Sequence, residues 1–144
     1  MNGKRFVDTN ILVYAHDRSA GLKHERAQRL LNGLWDSGEG ALSTQVLQEV
    51  CVNFRRKVHR PLPLEEVRQI TMDYSAWEVV TITPRLIVEA LHTEKRYRIS
   101  FWDALIIQAA ASCGSSVLYS EDLANRQHYG EVQVVNPFLE APVA

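Results

Sequence analysis

The sequence predicts an α/β fold, a parallel sheet with both faces covered by helices. Five short and largely apolar runs, at 5–7, 41–43, 79–82, 116–119 and 132–135, are the candidate strands. Segments with helical periodicity or helix-capping residues lie between most of them. Short apolar strands alternating with helices are the pattern of a parallel sheet buried on both sides. Ligands of such sheets sit in the crevice beyond the carboxyl ends of the strands.

Taken in order, Arg5-Phe6-Val7 reads as a strand that Asp8 closes. Thr9 or Asn10 then caps a helix over Ile11-Leu12-Val13-Tyr14-Ala15. Residues 22–36 read as an amphipathic helix with Ala27, Leu30, Leu31 and Leu34 inward. After the second strand, Thr44 caps a helix over 45–57, whose apolar side carries Val46, Leu47, Val50, Cys51 and Phe54. Pro61 and Pro63 break the chain, and a helix follows over 64–76. Pro84 starts another, ending near Arg98. From Phe101 to Ala111 only Asp103 and Gln108 are polar, which predicts a helix over 101–112 buried all round. Ser120 is expected to cap a short helix from Glu121 to Gln127, ahead of the last strand.

The length, 144 residues, fits a single domain over 1–144, and 46% hydrophobic residues suffice for a core. A net charge of −1 gives no global basic field of the kind that marks many nucleic-acid binders. A local basic patch or a bound cation can still supply that attraction. Cys51 and Cys113 show no metal-ligand spacing and are expected to be free thiols in a reducing cytoplasm. No apolar run approaches the ~18–20 residues of a membrane span. Residues 1–8 lack the apolar core of a signal peptide, so the expected location is the cytoplasm. His16, His24, His59, His92 and His128 share no ligand spacing, and neither a nucleophile elbow nor a phosphate-binding glycine loop is present.

Four carboxylates fall at related places in this layout. Asp8 follows the first strand, Asp122 follows the fourth, Asp103 opens the apolar helix, and Glu49 lies in the helix after the second strand. Each has an ordinary structural reading. Asp8 can cap a helix, and Ser100-x-x-Asp103 resembles a capping box. Asp122 suits the first turn of a helix. Glu49 lies with Gln45 and Asn53, away from the apolar side of its helix, which favours a solvated side chain. Periodicity alone therefore does not select Glu49. Gathered in one cleft, however, carboxylates raise one another's pKa, and divalent cations remove that repulsion. Oxygen-only ligands suit Mg²⁺ or Mn²⁺ rather than zinc or copper.

The same residues carry a resemblance. Val7-Asp8-Thr9-Asn10-Ile11-Leu12-Val13-Tyr14-Ala15, Gln45-x-Leu47-x-Glu49, Ser100-Phe101-Trp102-Asp103-Ala104-Leu105-Ile106 and Leu118-Tyr119-Ser120-Glu121-Asp122-Leu123 occur in this order, and Val134-Val135-Asn136-Pro137-Phe138 closes the chain. Together they resemble PIN-domain proteins, and more narrowly the VapC-type toxins of bacterial toxin–antitoxin pairs. That resemblance implies a three-layer α/β/α fold with a central parallel sheet of about five strands. It implies a Mg²⁺- or Mn²⁺-dependent ribonuclease, an RNA substrate, a cognate antitoxin and a homodimer. Asp8, Glu49, Asp103 and Asp122 match the family's acidic quartet as catalytic and metal-binding residues. Asn10 and Ser120 match its supporting polar positions. Glu121 is a possible substitute for Asp122, which fits better because Leu123 follows it.

Two other readings stay open on sequence. One is phosphoryl chemistry with Asp8 as nucleophile, although Asp8-Thr9-Asn10 lacks the second Asp of a DxD motif. The other is a catalytically silent binding module with an acidic pocket. Arg55-Arg56-Lys57-Val58-His59-Arg60 is the densest basic stretch and complements a helix C-terminus or contacts phosphates. Lys23, Arg26, Arg29, Lys95, Arg96 and Arg98 are further phosphate candidates. Trp35, Trp77 and Trp102 read as packing or interface residues rather than base platforms. Leu12, Tyr14, Leu30, Leu31, Leu34 and Trp35 are candidates for a partner-binding face.

Overall fold

The computed structural model describes residues 3–56 and 60–139. Its centre is a six-stranded sheet of β1 (Arg5–Val7), β2 (Gly40–Ser43), β3 (Glu78–Val80), β4 (Val117–Tyr119), β5 (His128–Tyr129) and β6 (Val132–Val135). The strand order is β3-β2-β1-β4-β6-β5. Every pairing is parallel except β5 with β6. In the centre, Phe6 pairs with Ala41 on one side and Leu118 on the other. The expected parallel sheet is thus present with one added strand. A two-residue segment such as β5 is too short to leave an alternation pattern in sequence.

The helices are α1 (Thr9–Ala15), α2 (Leu22–Ser37), α3 (Thr44–Arg56), α4 (Leu64–Tyr74), α5 (Pro84–Tyr97) and α6 (Phe101–Ser112). The helix expected over 45–57 is described to Arg56, and Lys57 lies outside the described residues. Helix α1 packs on α2 and α3, α3 packs on α4, and α5 packs on α6. The chain steps outward from β1 to β2 to β3, then returns past β1 to β4 and on to β6. Right-handed crossovers place α1–α4 on one face and α5–α6 on the other, which makes three layers. Where the stepping direction reverses, between β1 and β4, the loops diverge and leave a crevice.

Phe6, Ala41, Leu42, Val46, Leu118 and Val134 are all fully buried and form the centre of the core. Leu12, Leu30, Leu31 and Leu34 also belong to the core, so the partner-binding face expected on the first two long helices largely disappears. Exposed apolar side chains lie instead on α5, at Ile87, Val88 and Leu91, with Trp35 left at the surface of α2. Gly40 lets β2 pass under Trp77, because a Cβ there would meet the indole ring at 2.5 Å. Among the described residues, no helix is long and apolar enough to cross a membrane.

Two expected elements differ. Residues 121–127 form bends and turns, not a helix. The Ser120 hydroxyl accepts from the Asp122 N–H at 3.2 Å, as a cap would, but its own proton goes to Asp8 and no helix follows. Helix α6 is not buried all round: Ala104 to Ile107 are buried, whereas Trp102 is 61% exposed. Its first turn borders the crevice, and Asp103 is only partly removed from water.

Candidate active site

Asp8 is the N-cap of α1, and its Oδ1 accepts from the Thr9 N–H at 2.7 Å. Thr9 and Asn10, expected as caps, are instead the first two residues of the helix. The Asp8 N–H bonds the Tyr119 carbonyl at 3.0 Å, which stitches the ends of β1 and β4 together. Its other carboxylate oxygen accepts from the fully buried Ser120 hydroxyl at 2.9 Å. Asp8 is thus held on both oxygens at the point where the sheet order reverses.

The remaining acidic residues reach this point from other elements. Thr9 Oγ1 donates to Glu49 Oε1 at 2.7 Å, which turns the α3 carboxylate toward α1. Glu49 is therefore half-buried and tethered, not a solvated side chain. Asn10 Nδ2 donates to Asp122 Oδ2 at 3.1 Å. Asp103 lies in the first turn of α6, where the Ser100 hydroxyl accepts from its N–H at 3.1 Å. The capping readings of Asp8 and Ser100 both hold, and they fix the carboxylates rather than compete with a site. Glu121 is spoken for elsewhere: it accepts from the Tyr14 hydroxyl and pairs with Lys23 at 2.8 Å. Asp122, not Glu121, faces the shared space.

That space is a cavity of about 480 Å³ lined by Asp8, Asn10, Glu49, Asp103 and Asp122 together with uncharged residues. Gln45, Gln48, Val52, Asn53 and Trp102 also line it, and sequence reasoning gave none of them a site role. Only the i, i+4 spacing of Gln45, Glu49 and Asn53 hinted at a second functional stripe on α3. Gln45 is almost fully buried; its amide nitrogen donates to the Trp102 carbonyl at 3.4 Å and its Oε1 has no hydrogen-bond partner among the described residues. A second cavity of about 410 Å³, between α5, α6 and the β5–β6 turn, contains none of the four carboxylates.

The electrostatics of the main cavity follow from this crowding. Asp8 is pushed up to about 7, chiefly by burial, with Asp122 and Glu49 adding repulsion against the hydrogen bonds from Thr9 and Ser120. Asp122 is also raised, first by partial burial and then by Glu121, Asp103 and Glu49, while Lys23 pulls it down. Asp8 and Asp122 are thus driven toward neutrality, and a site that holds such carboxylates gains from a cation. Among the described residues, no three acidic, His or Cys side chains already close into a metal cage. The carboxylates line a space instead of meeting at a point. Mg²⁺ keeps several of its own waters and binds through one or two carboxylates, so the oxygen-only set fits such an ion.

The positions expected to contact phosphate fare differently. Lys23 is engaged by Glu121, and Arg26 donates to the Phe138 carbonyl at 2.8 Å. Arg55 and Arg56 are exposed at the end of α3, the helix that carries Glu49, while Lys57, Val58 and His59 lie outside the described residues. Cys51 and Cys113 are free and partly buried.

Solved structures share this fold. A toxin–antitoxin complex from Klebsiella pneumoniae is 19% identical, with a TM-score of 0.68 over 93% of this chain and 98% of that one. VapC20 of Mycobacterium tuberculosis, a sarcin–ricin-loop-cleaving toxin, is 20% identical, with a TM-score of 0.62 over 81% of this chain and 88% of that one. FitAB bound to the IR36 DNA fragment is 15% identical, with a TM-score of 0.67 over 93% and 95%. No curated protein matches the sequence. The family model for the PIN domain matches residues 5–129, and the chain belongs to the PIN-domain family.

Proposed function

We propose that this chain is a metal-dependent endoribonuclease, the toxin of a type II toxin–antitoxin pair of the VapC kind. The observation that carries the reading is the cavity itself. Four carboxylates, from the end of β1, the segment after β4 and helices α3 and α6, line one crevice, and a divalent cation would offset the burial and repulsion that raise Asp8 and Asp122. Asp8, Glu49, Asp103 and Asp122 are the residues that would hold Mg²⁺ or Mn²⁺. When bound, such an ion activates water near neutral pH and offsets charge on the phosphodiester.

The chain's own residues supply position. Ser120 and the Thr9 N–H hold Asp8, Thr9 Oγ1 orients Glu49, and Asn10 orients Asp122. Holding the acidic groups before substrate arrives is what makes in-line attack on a phosphorus efficient. Arg55 and Arg56 on α3 are placed to contact phosphates along the chain of a nucleic acid.

The partners follow from the family and its structural relatives, one of which is a toxin–antitoxin complex. The exposed Ile87, Val88 and Leu91 of α5 offer an apolar face for an antitoxin or a second copy in a homodimer. The cytoplasm is the proposed location, and a single domain over 1–144 is proposed with it. RNA cleavage by wild type and by Asp103→Asn, in Mg²⁺, in Mn²⁺ and in EDTA, tests the reading. Cleavage should vanish in EDTA and fall at least about 100-fold in the variant, with the fold retained. Equal, metal-independent activity in both proteins would refute it, and no cleavage by wild type in either metal would favour a silent acidic-pocket module.

A further inference from the structure

Trp102 is out of character for a residue in an apolar helix. Its neighbours Ala104 to Ile107 are buried, yet the residue is 61% exposed. The ring borders the carboxylate cavity and directly precedes Asp103 in sequence. Its plane is steadied by an edge contact from Phe101, with ring centres 5.2 Å apart, and its carbonyl is held by the buried Gln45 amide. Exposing an indole costs apolar burial, and here its position is fixed by two neighbours at the lip of a polar cleft.

The rest of the rim supports one kind of ligand. Val52 on α3 is 47% exposed and lines the same cavity. Gln48 and Asn53 flank it, and neither amide has a hydrogen-bond partner among the described residues. An acidic floor, one open aromatic face, one apolar side chain and two free amides suit a phosphate flanked by an unstacked base. The amides match the donor and acceptor edges of a base or the sugar hydroxyls. A duplex would keep its bases stacked and offer the indole nothing.

We infer that Trp102 is a base-stacking platform, which seats a nucleobase on the indole beside the phosphate held over the carboxylates. This rests on the nuclease reading of the same cavity and adds a contact to the substrate's base. Aromatic stacking is tolerant of base identity, so Trp102 strengthens binding without choosing a base, and Gln48 and Asn53 are left to discriminate among bases.

The test separates this claim from the cleavage claim. Binding of a fluorescein-labelled oligoadenylate and of a matched oligomer of abasic ribose phosphates is measured in Ca²⁺, with cleavage of oligoadenylate followed in parallel in Mn²⁺. Wild type, Trp102→Ala and Trp102→Phe are compared. Trp102→Ala should weaken oligoadenylate binding about 10-fold or more and leave abasic binding unchanged. Trp102→Phe should restore most of the loss. Equal weakening on both oligomers would show a structural role, and unchanged binding to both would show no role; either overturns the inference. So does a halving of the molecular mass on size exclusion in Trp102→Ala, which would mean that a second copy covers the indole. If oligoadenylate is bound through Trp102 but not cleaved, the platform stands and the nuclease reading falls. If wild type binds neither oligomer, the platform falls as well.

Discussion

At the scale of one residue, Asp8 shows how a functional group strains the structure that holds it. Its carboxyl is ordinarily at 3.8 and rises to about 7 in the fold. Between those values the folded protein keeps a proton that the unfolded chain has released. The stabilisation from this group is therefore complete below about 3.8 and is lost as pH rises through about 7. Above that window the metal-free protein carries a buried, repelled charge. Asp8→Asn removes the charge and keeps an acceptor for the Thr9 N–H. In EDTA at about pH 8, the variant should be more stable than wild type by on the order of a few kcal/mol. Its RNA cleavage should be abolished, a stability gain at the cost of function. Urea titrations of both proteins decide it, and a variant no more stable than wild type would mean that the carboxylate is already compensated.

At the scale of elements, the turn segment 120–127 carries Asp122 without regular hydrogen bonding of its own. It is pinned at Glu121 by Tyr14 of α1 and Lys23 of α2, and Lys23 also lies over the Tyr14 and Phe138 rings at 5.0 and 5.3 Å. The Lys23 end of the pair is about half exposed, so its contribution to global stability is small. Its importance is local. Glu121→Ala should leave the midpoint of unfolding nearly unchanged but reduce cleavage about 3- to 10-fold, because the loop holding Asp122 loosens. A thermal melt beside a cleavage time course separates the two effects. Full activity in the variant would mean that Asn10 and the Ser120 hydroxyl place Asp122 without help from Glu121.

This segment also marks where sequence reasoning failed. Ser120 followed by two acids looks like a helix start, but the hydroxyl is committed to Asp8, a residue 112 positions away. The long helices and the cores of all five expected strands were legible because apolar spacing records which side faces the sheet. The placement of Asp8, Asp103 and Asp122 beside the crevice was legible because they sit at or near element ends. That of Glu49 was legible only through the family resemblance and not from periodicity, because its partner is Thr9 and a helical wheel records no contact with another helix. The exposure of Trp102 was hidden for a related reason: whether a helix end is covered depends on what packs beside it from elsewhere in the chain.

For the molecule as a whole, the proposed function makes protons and cations competitors for one cavity. An ion that binds only the folded state stabilises it by mass action. Asp8 holds a proton below about 7, so that binding is opposed in acid. The rise in melting temperature produced by a fixed Mn²⁺ concentration should be larger at about pH 8 than at about pH 6. Differential scanning fluorimetry at the two values measures it. Equal shifts would place the ion away from Asp8.

The two margins of the sheet set a limit on how this protein meets others. One margin is a three-residue strand that begins with the exposed Glu78, and the other is a two-residue antiparallel stub. Neither offers a length of free backbone on which a visiting peptide can zip up as an extra strand. Association must then proceed through side chains on the helical layers, where it is decided by shape and can be undone by single substitutions.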